Sequence, residues 1–201
     1  MIFYRICRGL CKIICKLFVW LKVENKEKMI HEGPVIVAAN HESAFDVAMV
    51  TVWANRKIYW MAKESIFRFK PLGALFRYWG GYPVKRNSHD TGAAAKTFEL
   101  LEKGEAVGIF IQGTRARGKG REVKARHGAV KFAERADCPI IPVAVVGKAG
   151  LFRRVKVIYG DPITIPKGEY SNDEYREIAQ KILDGIYDIV DREKANGNYK
   201  S

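Results

Sequence analysis

Residues 33–46 read GPVIVAANHESAFD, and this stretch predicts how the domain is built. Gly33 and Pro34 punctuate the chain, and the apolar run 35–39 is typical of a short, fully buried strand. That strand delivers Asn40 and His41 at its end. Because sites in α/β proteins form beyond the carboxyl ends of parallel strands, this position favours a functional role for the histidine.

Apolar runs and amphipathic segments alternate along the rest of the chain. They predict strands at 57–62, 82–85, 106–111, 140–146 and 155–159, and helices at 46–55, 91–103, 127–136 and 175–190. Strands that alternate with helices indicate an α/β domain with a largely parallel central sheet flanked by helices. A chain of 201 residues suits one such domain, so we expect an N-terminal segment over residues 1–32 and a single domain over residues 33–201.

The charge of the chain is strongly positive. Thirty-five Lys and Arg residues against 22 Asp and Glu residues leave a formal net charge of +13. Such a charge predicts attraction to polyanions: nucleic acid, anionic phospholipid headgroups or a phosphorylated substrate. No zinc-finger spacing, RNA-recognition signature or basic region with heptads is present, so we expect no nucleic acid among the partners.

The N-terminal segment carries the pattern of a basic amphipathic helix. Its cations gather on one side of the helical projection, opposite an apolar side, and are Arg5, Arg8, Lys12, Lys16 and Lys22. Each would cost about 2.5–3.5 kcal/mol at the centre of a bilayer, whereas each contributes roughly 1 kcal/mol beside anionic headgroups. With Trp20 near the helix end, the pattern predicts a peripheral or monotopic anchor on an anionic membrane. The alternative is a helix packed on the protein's own core.

The four cysteines fit no metal or disulfide pattern. Cys7, Cys11 and Cys15 fall every four residues in this basic segment, and Cys138 stands alone. The spacing predicts reduced thiols in a cytoplasmic protein. Together with the basic helix, it suggests the cytoplasmic face of the cell membrane as the location.

His41 and Asp46 are five residues apart. A regular helix would separate their side chains by roughly 140°, but a loop leading into a helix at Asp46 would fold the carboxylate back onto the imidazole. The carboxylate would then fix the tautomer and stabilise the imidazolium formed when the other ring nitrogen takes a hydroxyl proton. Two residues match easily by chance, and the alternative is a loop histidine beside a helix-capping aspartate.

Four blocks, in order, resemble the motifs of the glycerolipid acyltransferase family, in particular the 1-acyl-sn-glycerol-3-phosphate acyltransferases. Residues 40–46 resemble its N-H-x-x-x-x-D motif, and residues 81–86 (GYPVKR) resemble its second motif, which ends in a substrate-binding arginine. Residues 110–115 (FIQGTR) resemble its F-P-E-G-T-R block, and residues 140–143 (IIPV) its proline-centred fourth motif. The order and spacing of the blocks over residues 33–150 make the resemblance specific.

The resemblance implies transfer of a fatty acyl group to the sn-2 hydroxyl of 1-acyl-sn-glycerol-3-phosphate (lysophosphatidic acid), giving phosphatidic acid for phospholipid biosynthesis. The donor would be acyl-CoA or an acyl thioester of acyl carrier protein, as co-substrate, with no cofactor and no metal. His41 would be the general base and Asp46 its partner. Arg86 and Arg115 would bind the substrate phosphate through paired charge-assisted hydrogen bonds.

The third block departs from the family pattern, because Ile111 and Gln112 stand where the family has proline and glutamate. Gln112 keeps the reach of glutamate but not its charge, so it can hold a glycerol hydroxyl or a backbone amide. It cannot act as a carboxylate. Either the acceptor is bound differently in this branch, or the activity is weakened.

The loop that follows is rich in glycine and positive charge. Gln112, Gly113 and Thr114 are expected near the acceptor and the oxyanion of the tetrahedral intermediate. Two lysines, Lys119 and Lys124, either contact anionic substrate groups or form a solvated surface that aids membrane association.

Two further functions fit the sequence in part. The same chemistry on another lysophospholipid or on a lyso-aminolipid is compatible with all four blocks. A basic membrane-binding or nucleic-acid-binding protein without catalysis would explain the charge, but it would leave four ordered blocks as coincidence.

Overall fold

The structure is a computed structural model that describes residues 9, 12–13, 19–85, 90–148, 150, 153–196 and 199. The described residues form seven strands: β1 Val19–Glu24, β2 Val35–Ala39, β3 Ile58–Lys63, β4 Gly81–Val84, β5 Ala106–Phe110, β6 Ile140–Val146 and β7 Arg153–Tyr159. Six α-helices are described from end to end: α1 Asp46–Trp53, α2 Ser65–Arg68, α3 Lys70–Tyr78, α4 Thr91–Glu102, α5 Gly128–Arg135 and α6 Asn172–Ala195.

The strands form one sheet in the order β1-β7-β6-β2-β5-β3-β4. The five strands from β6 to β4 run parallel to one another, whereas β7 is antiparallel to β6 and β1 is parallel to β7. The predicted α/β fold with a largely parallel sheet is therefore confirmed. The five parallel strands all end at the same edge of the sheet, which we call the carboxyl edge. Because β1 and β7 run the other way, both begin on the side of this edge.

β2 lies at the centre of the sheet, and all five of its residues are fully buried. Ile36 and Ala38 pack into a core shared with residues of α4, α5 and α6. Val35, Val37 and Ala39 pack into a second core, on the other face, with residues of α1. A strand covered on both faces needs apolar residues at every position, which explains the unbroken run in the sequence.

Residues 19–24 correct the helix prediction for the N-terminal segment. They form β1, which pairs with β7 from Val19↔Arg153 onward, so Trp20 and Lys22 lie in a strand within residues 1–32. The physical reason is a period of two: Val19, Leu21 and Val23 alternate with more polar residues, and β-branched residues favour strands.

Earlier in this segment, Gly9, Lys12 and Ile13 are helical. The predicted membrane-facing residues Arg5, Arg8 and Lys16 lie outside the described residues. Within the described part of the chain, no helix is both long enough and apolar enough to cross a membrane.

Candidate active site

The loop after β2 folds Asp46 back onto His41, as its spacing predicts. Asp46 is the first residue of α1, and its Oδ2 accepts hydrogen bonds from His41 Nδ1 at 2.9 Å and from the amides of Glu42 and Ser43 at 2.8 Å each. The aspartate is fully buried and the histidine is 6% exposed. Because Nδ1 donates its proton to the carboxylate, Nε2 carries the free lone pair and can accept a proton.

Asn40 fixes the start of the same loop. Its side-chain amide donates to the carbonyl of Val145 at 3.0 Å, and its Oδ1 accepts from the Val145 amide at 2.7 Å. The side chain therefore pairs with the backbone of β6 just as a further residue of β2 would. This pairing anchors the residue immediately before His41 to the sheet.

An aromatic stack fixes the plane of the imidazole. The rings of His41 and Phe110 lie 3.7 Å apart and 10° from parallel, and Trp60 stacks on the other side of Phe110 at 4.8 Å. The indole Nε1 of Trp60 donates to Thr51 Oγ1 of α1 at 2.8 Å. The ring also lies against Gly108 of β5, where an added Cβ would be 2.4 Å from Trp60 Cδ2.

Replacing Gly108 with alanine is expected to lower the free energy of unfolding by about 1–3 kcal/mol, because the new methyl group overpacks the indole ring. Urea denaturation measures this loss. Gly185→Ala is the matched control: Gly185 is an exposed residue of α6 with no atom within 4 Å of an added Cβ. That change is expected to stabilise the protein slightly, by about 0.5–1 kcal/mol, through helix propensity. Equal effects of the two substitutions would contradict the role assigned to the indole contact.

The loop after β5 clamps both main-chain groups of His41. The His41 amide donates to Gln112 Oε1 at 3.1 Å, and the His41 carbonyl accepts from the Ala116 amide at 2.7 Å. Thr114 and Arg115 lie between these two contacts and are exposed. The clamp therefore brings the backbone of Arg115 close to that of His41.

Gly113 allows the turn that begins this loop. Its φ is +66°, in the left-handed region, and an added Cβ would be 2.6 Å from Cδ of Arg126. Both the backbone conformation and the close approach of the arginine therefore favour glycine here.

Gln112 is 1% exposed, and its hydrogen bonds are made with protein groups. Its Oε1 holds the His41 amide, whereas Nε2 donates to the carbonyls of Gly120 at 3.1 Å and Val123 at 3.4 Å and to Tyr187 Oη at 3.1 Å. Of the two roles that the sequence left open, the side chain holds a backbone amide.

Three of the predicted cations face solvent on this loop: Arg115, Lys119 and Lys124. Arg121 instead binds Asp188 at 2.7 Å and Asp191 at 2.9 Å, both on α6. The hydrogen bond to Asp188, which has the larger effect, and the one to Asp191 raise the pKa of the Arg121 guanidinium. The side chain thus fastens the loop to α6.

Arg86 lies outside the described residues. Its neighbour Lys85 follows β4 at the carboxyl edge, and the Lys85 amide donates to Asp90 Oδ2 at 2.6 Å. Asp90 also caps α4 by accepting from the Ala93 amide at 3.0 Å. The hydrogen bonds from the Lys85 and Ala93 amides lower the pKa of the Asp90 carboxyl.

Two residues of the site escape sequence reasoning: Glu42 and Tyr187. Glu42 Oε2 accepts from the Gly118 amide at 2.9 Å, and Oε1 accepts from Tyr187 Oη at 3.1 Å. No local pattern marks these contacts, because they join residues 76 and 145 positions apart. The described residues include no group of three or more His, Cys, Asp or Glu side chains arranged to hold a metal ion.

An imidazole held by a carboxylate, beside a cationic loop at the carboxyl edge of a parallel sheet, is the arrangement expected of an enzyme that deprotonates a hydroxyl group near an anionic group. The chain matches the Acyltransferase family over residues 21–146, and it belongs to that family. The resemblance of the four motif blocks is therefore confirmed, and the protein is an acyltransferase.

Two named relatives and one solved structure show which acyltransferases this chain is similar to. A 1-acyl-sn-glycerol-3-phosphate acyltransferase from Bacillus subtilis is 31% identical over 166 residues, which are 80% of this chain and 82% of the relative. One from Borreliella burgdorferi is 26% identical over 157 residues, which are 75% of this chain and 62% of the relative. The crystal structure of the 1-acyl-sn-glycerophosphate (LPA) acyltransferase PlsC from Thermotoga maritima has the same fold, with a TM-score of 0.65, 23% identity and coverage of 90% of this chain and 80% of that one.

Proposed function

We propose that this acyltransferase moves a fatty acyl group from an acyl thioester to the sn-2 hydroxyl of 1-acyl-sn-glycerol-3-phosphate, giving phosphatidic acid. The observation that carries the proposal is the buried His41–Asp46 pair, in which the loop that carries Arg115 holds the main chain of His41. The names of the relatives support the same substrate. Acyl-CoA or acylated acyl carrier protein is the co-substrate, and the chemistry uses no cofactor.

In the proposed reaction, Arg115 and Arg86 bind the phosphate and so position the free hydroxyl against His41. Nε2 takes the hydroxyl proton as the oxygen attacks the thioester carbonyl, and Asp46 stabilises the resulting imidazolium. The tetrahedral intermediate then collapses, its carbon–sulfur bond breaks, and the imidazolium returns the proton to the departing thiolate. The products are phosphatidic acid and a free thiol, and no acyl-enzyme forms.

The oxyanion of that intermediate needs N–H donors that are not already engaged. The Gly113 amide donates to the carbonyl of Phe110, and the amides of Glu42 and Ser43 donate to Asp46. Within the described part of the chain, the amides of Thr114 and Arg115 make no hydrogen bond. These two amides are the proposed oxyanion donors.

The test is an acyl-transfer assay. Purified protein is incubated with detergent-dispersed 1-acylglycerol-3-phosphate and a long-chain acyl-CoA or acylated acyl carrier protein, and free thiol and product lipid are followed. Thiol release that depends on the acceptor is the expected result. A panel of other lysophospholipids and lyso-aminolipids separates the acceptors, and a preference for one of these would replace the proposed substrate. Absence of turnover with every acceptor would contradict the proposal.

We also propose that the N-terminal segment anchors the protein peripherally on an anionic membrane, at its cytoplasmic face. β1 begins on the side of the carboxyl edge, so Val19 lies on the side of the sheet that holds His41. Trp20 is 52% exposed there, with the guanidinium of Arg154 lying 5.7 Å from its ring. An exposed indole beside a cation is typical of proteins that sit at a membrane interface.

Replacing the four cations Arg5, Arg8, Lys12 and Lys16 with glutamine is expected to weaken binding to anionic vesicles by about tenfold or more, because each cation near such a surface contributes roughly 1 kcal/mol. Cosedimentation with vesicles that contain phosphatidylglycerol measures the change. The matched control replaces four exposed cations from segments that adjoin the opposite edge: Lys26, Arg135, Lys167 and Arg176. Equal losses for the two sets would mean that net charge alone, and not this segment, drives binding.

A further inference from the structure

A chain of hydrogen bonds joins α6 to both loops of the site. Gln112 Nε2 donates to Tyr187 Oη at 3.1 Å, Tyr187 Oη donates to Glu42 Oε1 at 3.1 Å, and the Gly118 amide donates to Glu42 Oε2 at 2.9 Å. Tyr187 is 2% exposed and lies beyond residues 21–146, the part of the chain that matches the family. Burial and the negative charge of Glu42 raise the pKa of its phenol, which therefore stays protonated and keeps donating.

The direction of every bond in this chain is fixed. Tyr187 must donate to the Glu42 carboxylate, so its oxygen accepts from Gln112. In the reverse orientation of the Gln112 amide, its nitrogen would face the His41 N–H and its oxygen would face the carbonyls of Gly120 and Val123. Only the observed orientation satisfies all of these partners.

We propose that Tyr187 is a positioning residue that holds the loop of His41 and the loop of Arg115 in register, acting through Gln112 and Glu42. Gln112 holds the His41 amide, and Glu42 holds the Gly118 amide three residues beyond Arg115. One phenol therefore stabilises the general base and the phosphate-binding residue at the same time. This inference rests on the proposed function for its kinetic consequences but not for its structural ones.

The same geometry accounts for glutamine at position 112. Nε2 lies against two carbonyl oxygens, which a carboxylate oxygen would repel, so glutamate fits this position only when it is protonated and can donate. Among the described residues, the charged and titratable groups near it are Tyr187 of α6 and Glu42 and His41 of the loop after β2. Its own loop adds Arg126, whose amide donates to the Ile111 carbonyl, and Arg121, which binds Asp188 and Asp191. The Tyr187 hydroxyl alone separates Glu42 from position 112, so the negative charge of Glu42 would also repel a carboxylate there.

Tyr187→Phe removes only the hydroxyl, and its matched control is Tyr175→Phe. Tyr175 is also a buried tyrosine of α6, and it donates to another carboxylate, Glu134, at 3.0 Å. Hydrogen–deuterium exchange of the two full-length variants is expected to show faster exchange at the amides of residues 40–46 and 112–123 in Tyr187→Phe alone. This measurement needs no substrate, so it tests the coupling even if acyl transfer fails.

In the acyl-transfer assay, Tyr187→Phe is expected to lower kcat by about tenfold and to raise the acceptor KM, because both loops lose a buried partner. Tyr175→Phe is expected to leave both values within about twofold of the parent chain. Unchanged exchange in both segments of Tyr187→Phe, or an equal kinetic loss in the two variants, would overturn the proposal.

Gln112→Glu provides a pH-dependent readout that a merely structural role of Tyr187 would not produce. Burial raises the pKa of the introduced carboxyl above its usual value of about 4.3. Above the raised pKa the carboxyl is charged and destabilises the loop, whereas below it the carboxyl is neutral. The ratio of variant to parent kcat/KM is therefore expected to rise by about tenfold from about pH 8 to about pH 6. A ratio that is flat with pH, or that exceeds one at high pH, would overturn this account of Gln112.

Discussion

Replacing His41 with alanine is expected to lower kcat of acyl transfer by about 10²–10⁴-fold, which is the usual contribution of a general base. Among the described residues, the imidazole hydrogen-bonds to the side chain of Asp46 through Nδ1, and Nε2 is the atom proposed to accept the hydroxyl proton. Without it, the acceptor hydroxyl must attack with no base beside it. The arginines proposed to bind the phosphate remain, so the acceptor KM should change by only a few fold.

The matched control for this experiment is His31→Ala. His31 is exposed and lies before the amino end of β2, whereas His41 follows its carboxyl end. The control variant should keep full turnover. Substantial turnover in His41→Ala, measured on protein whose unfolding transition shows that it is folded, would remove His41 from the mechanism.

Replacing Arg115 with alanine is expected to lower acceptor-dependent kcat/KM by about 10–100-fold, because a hydrogen bond to a charged group contributes about 1.5–3 kcal/mol. The loss should appear mainly as a higher acceptor KM, with little change in the KM for the acyl donor. Arg115 is exposed and lies one residue before the Ala116 amide that holds the His41 carbonyl. A phosphate bound there would present the rest of the acceptor to the imidazole.

Arg135→Ala serves as the control for charge alone. Arg135 is exposed at the end of α5, shortly before the amino end of β6, and so lies near the opposite edge of the sheet. This substitution removes the same charge and should leave the acceptor KM unchanged. If both variants lose affinity equally, the chain attracts its acceptor through net charge and Arg115 has no specific contact.

Local patterns in the sequence were sufficient to predict those parts of the fold that depend on residues near one another in the chain. The apolar run 35–39 predicted β2, and the spacing of His41 and Asp46 predicted the fold-back of the carboxylate. Predictions failed where two periods competed. Trp20 and Lys22 were included in an amphipathic helix, although the alternation of Val19, Leu21 and Val23 with more polar residues already favours a strand.

The helices α2 and α3 were not predicted either. Pro71 falls in the first turn of α3, where proline is tolerated, and Gly73 packs against the backbone of Phe67. Both residue types usually mark loops, so no helix was predicted in this region.

The hydrogen-bonding of the site was only partly predictable. A backbone amide was one of two possible partners for Gln112, but its sequence position could not choose between them. The contacts of Glu42 with Gly118 and with Tyr187 depend on how distant segments meet at the carboxyl edge. No linear motif reports such a meeting.

The contacts that complete the site also determine when in folding it can form. Asn40 pairs with Val145 across 105 positions and Glu42 with Tyr187 across 145, and β2 itself needs β5 and β6 on either side. Because chain entropy must be lost before contacts this distant can form, we expect the edge that holds His41 to be completed late in folding. A chain that is still emerging from the ribosome, before α6 is released, therefore has His41 in place without the contacts that Tyr187 makes with Glu42 and Gln112.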